Sequence, residues 1–376
     1  LNVRVVGTPS DIPSAEWNQL AGNDPFLSHA FLDALDSSGC ATARTGWSPQ
    51  YILIEENRRL AAAMPLYLKT HSYGEYVFDW AWADAYERHG LKYYPKLLCA
   101  IPFTPVSGQR LLANTPEHRQ LLIRTAVQLA RDNDLSSFHC LYPTSAESDI
   151  ATAEGLMIRN GVQFHWTNDT YESFDAFLAR MSHDKRKKIR QERRRVREAG
   201  ITFEWLDGPE ITPAIWQFFH HCYCNTYHLH RSTPYLNLEF FERIGATMPQ
   251  SIVMFVAYRA GKPVAAALNI RSDDRLHGRY WGSVDYVPAL HFEACYYQGI
   301  DYCIARGLRY FEGGAQGEHK IARGLLPVPT RSVHWLSHDG FSRAVQDFLD
   351  RESRGMEQYR NELEDRSPFR SNPQTS

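Results

Sequence analysis

The chain has 376 residues, of which 43% are hydrophobic, 22% charged and 13% aromatic; this composition fits a globular protein of two domains and excludes extensive disorder, collagen, coiled coil and small disulfide scaffolds. Forty-one Lys and Arg against forty-three Asp and Glu give a formal net charge of -2, which excludes a globally basic nucleic-acid coat but leaves room for a local basic patch. No apolar run reaches the about 18 residues of a membrane span, and seven cysteines without a CxxC pair read as reduced thiols of a cytoplasmic protein.

The opening LNVRVVGTPSDIPSAEW lacks the basic and long apolar regions of a secretory leader. Residues 51–68, YILIEENRRLAAAMPLYL, predict two strands joined by a short polar turn. An aromatic strand is predicted at 75–82, an amphipathic helix at 116–134 and a short strand at 135–142. After the strand GVQFHWTN (161–168), Phe174, Phe177, Leu178 and Met181 form one apolar helical face. Ser182 is placed to cap a second helix over 182–199, with Ile189 and Val196 on one side and Gly200 as its stop.

The first order of elements then recurs. Residues 254–270 predict a second strand pair, 276–284 an aromatic strand, 290–307 a helix and 308–314 a short strand. LAAAM (60–64) matches VAAAL (264–268) at an offset of 204 residues. A helix that returns to lie beside its sheet does so by a right-handed crossover. The expected class is therefore α/β with mixed α+β sheets, in two tandem domains, 1–170 and 171–376, the second opening with the helix at 182–199. Residues 341–365 predict a final amphipathic helix.

Two stretches stand out chemically. Lys185 to Arg197, KRKKIRQERRRVR, holds nine bases and one acid. Repulsion along such a helix is relieved by counter-charge, and phosphates on coenzyme A, a nucleotide-linked sugar or transfer RNA would supply it. Lys185, Arg186 and Arg190 are the candidate contacts; the competing reading is a solvated face paired with surface acids. The second stretch is FEGGAQGEHKIARG, 311–324. Its glycines let the backbone turn sharply and aim N–H groups at an anion. Glu318 or His319 could take a proton from an attacking amine, Lys320 could stabilise a carbonyl oxygen, and Gln316 and Arg323 could hold substrate.

Arg279 and Tyr280 at a strand end, and His291 and Glu293 at the following helix start, mark a further ligand position, with Glu293 a third candidate base; His291 and Glu293 read equally well as plain helix-start residues. His220, His221, Cys222, Cys224, His228 and His230 do not match metal-site spacing, because Cys222 shares the apolar face of its helix, and no metal is expected. P-loop, GxGxxG and GxSxG motifs are absent from the sequence.

RKKIRQERRRVREAGI, TYHLHRSTPYLNLEFF, HGRYWGSVDYVPALHFEACYYQGIDYCIARGL, GAQGEHKIARGLLPV and IPFTPVSGQRLL (101–112) closely resemble the bacterial FemAB-like family, labelled peptidoglycan biosynthesis/recognition, within the GNAT superfamily. The resemblance covers nearly the whole chain. It implies tandem GNAT-like (acyl-CoA N-acyltransferase) domains and acyl transfer to an amine, with the reacting groups in the second half. Fem-type relatives transfer an aminoacyl group from transfer RNA to an amine of a cell-wall precursor, and a lysine after their last Gly-rich turn is similar to Lys320. VPALHFEACYYQ stands where an ordinary GNAT carries Q/R-x-x-G-x-G/A for the coenzyme pyrophosphate, and the helical coiled-coil arm of some Fem proteins is missing. The co-substrate thus stays open between acyl-CoA and aminoacyl-tRNA, with no bound cofactor expected. The expected function is an N-acyltransferase acting on an amine acceptor, such as a cell-wall precursor. The alternative is a non-catalytic module that binds a phosphorylated cell-wall precursor or RNA.

Overall fold

The computed structural model describes residues 1–314 and 317–370. They fall into two units, Leu1–Gly161 with Pro329–Gln358, and Val162–Val328 with the chain from Tyr359. The sequence reading had a single cut at 170. The chain instead crosses near 161 and returns at 329, because strand pairing rather than chain order decides membership.

The first unit holds strands β1 (Asn2–Val6), β2 (Trp47–Pro49), β3 (Tyr51–Glu56), β4 (Arg59–Met64), β5 (Leu66–Lys69), β6 (Lys96–Cys99), β7 (Leu112–Ala113) and β8 (Ser137–Leu141). One sheet has the order β1-β3-β4-β7. In the other, β2 and β6 flank β5 antiparallel, and β8 runs parallel to β6 after the helix Pro116–Asp132. The aromatic segment 75–82 is not a strand. It ends in the helix Trp80–Arg88, since Trp82 and Tyr86, one helical turn apart, are both buried.

Strand β9 (Met157–Thr167) leads into the second unit, which continues with β10 (Ile201–Asp207), β11 (Ile252–Arg259), β12 (Lys262–Arg271), β13 (Arg275–Ser283), β14 (Tyr310–Glu312) and β15 (Leu326–Leu336). Strands β10 to β13 form an antiparallel meander. β14 lies parallel to β13 and antiparallel to β9, as the crossover argument requires for a strand reached through a helix. Ser332–Leu336 of β15 pair with β8 and so return the chain to the first unit.

The internal repeat is visible in local geometry, but one residue out of the sequence register. Both hairpins turn through two residues of positive φ, Asn57–Arg58 and Ala260–Gly261, the conformation that matches strand twist. Each second strand then carries one unpaired residue, Ala61 and Val264. Ala62 therefore corresponds to Ala265, and the literal LAAAM–VAAAL match is shifted by one.

The core of the second unit gathers Trp166, Phe177, Met181, Ile189, Phe255, Tyr297, Ile300, Phe311 and Leu325. The helices Phe174–Ala179 and His183–Glu198 cover it, as their apolar spacing predicts. Gly200 stops the second with φ 75°. Ser182 occupies the N-cap position, but its side chain makes no capping bond; its backbone N–H donates instead to the Pro368 carbonyl at 2.8 Å. Helix Pro213–Leu229 approaches β13 so closely that a Cβ on Gly282 would lie 1.9 Å from the Cys222 carbonyl oxygen. Gly282→Val should therefore cost more than about 3 kcal/mol in a urea titration, because two backbones would have to separate.

Candidate functional site

β13 and β14 pair over only three residues each, Arg275–His277 with Tyr310–Glu312. β13 continues to Ser283, whereas the chain after Glu312 turns away through Gly313 and Gly314. Divergence of parallel strands at their carboxyl ends opens a crevice where ligands of α/β proteins commonly bind. Gly314, Gly317 and Gly324, with φ of 87°, 115° and 89°, shape the turn, and Glu318–Arg323 form a short 3₁₀ helix within it.

Lys320 sits on that helix and is 2% exposed. Its Nζ donates to the Gly314 carbonyl at 2.8 Å. Burial lowers its pKa to about 8, with the Cys295 thiol acting weakly against this. A π-helical turn over Glu293–Tyr297 sets Tyr296 beside the same turn, where its hydroxyl lies 3.1 Å from His319 Nε2. Around Tyr296 and Phe292 the structure brings together His319, His291 and Arg323. Burial, then His319, Arg323 and Lys320, lowers the His291 pKa to about 4. Burial and the two cations also lower His319, so both rings are neutral near pH 7.

Arg323 does not have the free charge expected of a phosphate contact. It is buried, its Nη2 donates to both oxygens of Glu192 at 2.9 and 3.1 Å, and its Nη1 donates to the His319 carbonyl at 2.8 Å. Glu318 is likewise unsuited to the role of base. It is exposed, and hydrogen bonds from Tyr359 (2.6 Å) and Arg366 (2.7 Å) hold its carboxyl below its usual range. Gln316 lies outside the described residues. Tyr280 packs edge-on against Tyr223 and Phe241, and the Arg279 guanidinium lies over the Tyr280 ring at 5.2 Å.

Glu293 belongs to a different place. Its Oε1 accepts from Arg193 at 3.0 Å and Gln298 at 2.7 Å, while burial raises its pKa. It stands at the floor of a cavity of about 1330 Å³ lined by Arg186, Arg190, Arg194 and Arg197 of the basic helix and by Phe203 and Trp205 of β10. Part of the basic helix is paired, Arg190 with Asp175 at 2.9 Å and Arg193 with Glu293 and Asp301. Among the described residues Arg186 and Arg197, both on the cavity wall, make no ion pair. Lys185 is half-buried and lies outside the cavity lining.

Sequence reasoning missed Glu192, although the signal was present: Ile189, Glu192 and Val196 share the buried face of the helix, and this is the one acid among nine bases. It also missed a buried polar cluster of the first unit. There Lys96 Nζ donates to Ser72 at 2.8 Å, Glu75 at 2.9 Å and Asp79 at 2.5 Å. Tyr93 links Asp79 to His139, which meets His334 at 2.8 Å. No local pattern reveals this cluster, since its members come from two loops and three strands. Another buried group, Glu312 with His277 at 3.0 Å and Arg275 at 2.5 Å, adjoins the Gly313–Gly314 turn.

Among the described residues no three His, Cys, Asp or Glu side chains gather as a metal would require. Cys222 is fully buried, and Cys224 Sγ lies 3.6 Å from His220 Nε2. No described helix is long and apolar enough to cross a membrane.

The profile of the FemAB-like family, described as peptidoglycan biosynthesis/recognition, matches residues 8–371. No curated protein matches the sequence. Among solved structures, FemX is similar over 92% of this chain and 100% of its own, with TM-score 0.53 and 11% identity. L-PGS from Bacillus licheniformis is similar over 94% and 98%, with TM-score 0.55 and 11% identity. The C-terminal domain of a protein assigned as a lysylphosphatidylglycerol synthetase from Agrobacterium fabrum is similar over 90% and 96%, with TM-score 0.55 and 10% identity. At such identities the likeness is one of fold.

Proposed function

The chain belongs to the FemAB-like family, and from that premise we propose that it is an N-acyltransferase, moving an acyl or aminoacyl group to an amine borne by a cell-wall precursor. The observation that carries this reading is Lys320: a buried ammonium beside a glycine turn, at the mouth where β13 and β14 diverge. A neutral amine attacks the donor carbonyl and forms the C–N bond. The electron pair moves to the carbonyl oxygen, which the Lys320 ammonium and turn N–H groups stabilise. His319, neutral near pH 7, takes the amine proton. Collapse restores the carbonyl and breaks the bond to the donor, and the His319 imidazolium returns its proton to the leaving thiolate or alkoxide. Arg186 and Arg190 hold phosphates of donor or acceptor, while Arg323 braces the turn through Glu192.

The donor stays open between acyl-CoA and aminoacyl-tRNA. Mass spectrometry for an amide product, after incubation with acyl-CoAs or aminoacyl-tRNAs and amine-bearing muropeptides, tests the proposal. Salt-sensitive binding without product from any donor would favour the non-catalytic module instead.

The pH profile is a second test. Lys320 carries its charge below about pH 8 and loses it above. His319, lowered by burial and neighbouring cations, becomes a base at a pH below the ordinary imidazole range. The rate should rise on that acidic limb and decline above about pH 8. Lys320→Arg should move the alkaline limb upward, because a guanidinium stays charged.

A further inference from the structure

An alkylamine acceptor reaches the crevice as an ammonium, because its pKa lies near about 10. It must lose one proton before it can attack and another, given above to His319, as the amide forms. Acyl transfer therefore needs a second proton acceptor, and three neighbouring strands set one in place.

Strand β14 lies between β13 and β9, and its last residue, Glu312, stands opposite His277 on one side and His165 on the other. All three are buried. They form a row across the sheet at the point where β13 and β14 part and the chain enters Gly313. Glu312 Oε1 accepts from Arg275 Nη1 at 2.5 Å, and its Oε2 accepts from His277 Nδ1 at 3.0 Å. The same Oε2 lies 3.9 Å from His165 Nε2, and the Gln163 Oε1 faces that nitrogen at 3.3 Å. Two acceptors around Nε2 hold the ring proton there. His165 Nδ1 thus keeps its lone pair, and among the described residues it makes no hydrogen bond.

The charges around the ring favour the transfer. Burial lowers the His165 pKa, Glu312 opposes this, and Arg275, His277 and Lys320 add to it. The ring is neutral near pH 7 and stands within electrostatic reach of Lys320. Glu318 is held at the surface by Tyr359 and Arg366, and Glu293 by Arg193 and Gln298, which leaves Glu312 to balance positive charge here. A proton that passes from the acceptor to His165 moves towards that carboxylate, and the imidazolium it forms is compensated.

We propose that His165 is a second catalytic base: its Nδ1 takes the proton of the acceptor ammonium, directly or through one water, and Glu312 is the positioning residue that fixes its tautomer and balances its charge. The N–H bond of the ammonium breaks, its electron pair becomes the nucleophile, and His165 later releases the proton to solvent. The assignment rests on the acyl-transfer reading above.

The test compares two acceptors at pH 7, an amine-bearing muropeptide and the same muropeptide with an alkoxyamine in place of the amine, which is already neutral at that pH. His165→Gln should lower kcat/KM by about 100-fold or more with the amine and by less than about threefold with the alkoxyamine, since only the first needs its proton removed. Glu312→Gln should show the same split, which a merely structural loss would not produce. Melting curves check that both variants fold. Equal loss with the two acceptors in folded variants, or no loss with the amine, overturns the role of His165 and leaves acyl transfer standing. A chain that forms amide from neither acceptor overturns acyl transfer and this inference with it. Nitrogen-15 NMR of the unmodified chain adds a measurement that needs no variant: His165 should carry its proton on Nε2 at pH 7, and a proton on Nδ1 instead overturns the proposal whatever the turnover.

Discussion

Lys320→Ala should lower kcat for amide formation by about 100- to 1000-fold, the loss seen when a positioned oxyanion donor is removed. Its KM should move far less, because the ammonium acts on charge that develops only in the transition state. The fold should survive. Lys320 has one hydrogen bond, to the Gly314 carbonyl, and burial already disfavours its charged form, so removing it relieves a desolvated cation. An unchanged melting temperature with collapsed turnover is the expected pair of results. Unchanged turnover would remove the oxyanion role and leave the buried lysine as a clasp on its glycine turn.

The largest stability effect is expected in the first unit, where two fully buried lysines should respond in opposite ways. Lys96→Met leaves Glu75 and Asp79 in the interior with their cation gone and should cost about 3–5 kcal/mol. Burial would raise the Asp79 carboxyl, yet Lys96 and its hydrogen bond hold it well below the usual carboxylate range. Its contribution is therefore present above the pKa of an unfolded aspartate and is lost as pH falls towards the folded value. Lys96→Met should flatten that acid limb. Lys69 has no close carboxylate: its Nζ lies 3.3 Å from the Tyr73 carbonyl, 4.0 Å from Glu75 and 3.7 Å from the centre of the Trp47 ring, and burial lowers its pKa to about 7. Lys69→Met should leave stability at pH 7 unchanged or higher, because it removes a poorly matched buried charge. Urea titrations of both variants across pH check the pair; equal destabilisation would show that the two ammoniums are equally well matched.

The elements that came through from sequence are those whose burial repeats at one period. The helix His183–Glu198 reads from Ile189 and Val196, the meander β11 to β13 from its alternating and apolar runs, and the helix after it from its spacing. The segment 75–82 misled because aromatic residues suit a strand and a buried helix alike, and its acids have their partner, Lys96, some twenty residues away. The repeat match failed by one residue because a bulge adds a position that composition does not mark.

Chain order and side-chain type were enough to determine the family, the mixed α/β class and the Gly-rich turn that carries Lys320, since each of these is written in contiguous residues. What each charge faces was decided only by tertiary structure. Folding paired Arg323 with Glu192, placed Glu318 at the surface with Tyr359 and Arg366, and directed Glu293 away from Lys320 into an arginine-lined cavity. The reason is physical: a charge acts through its nearest partner and its distance from water, and neither is a property of neighbours along the chain.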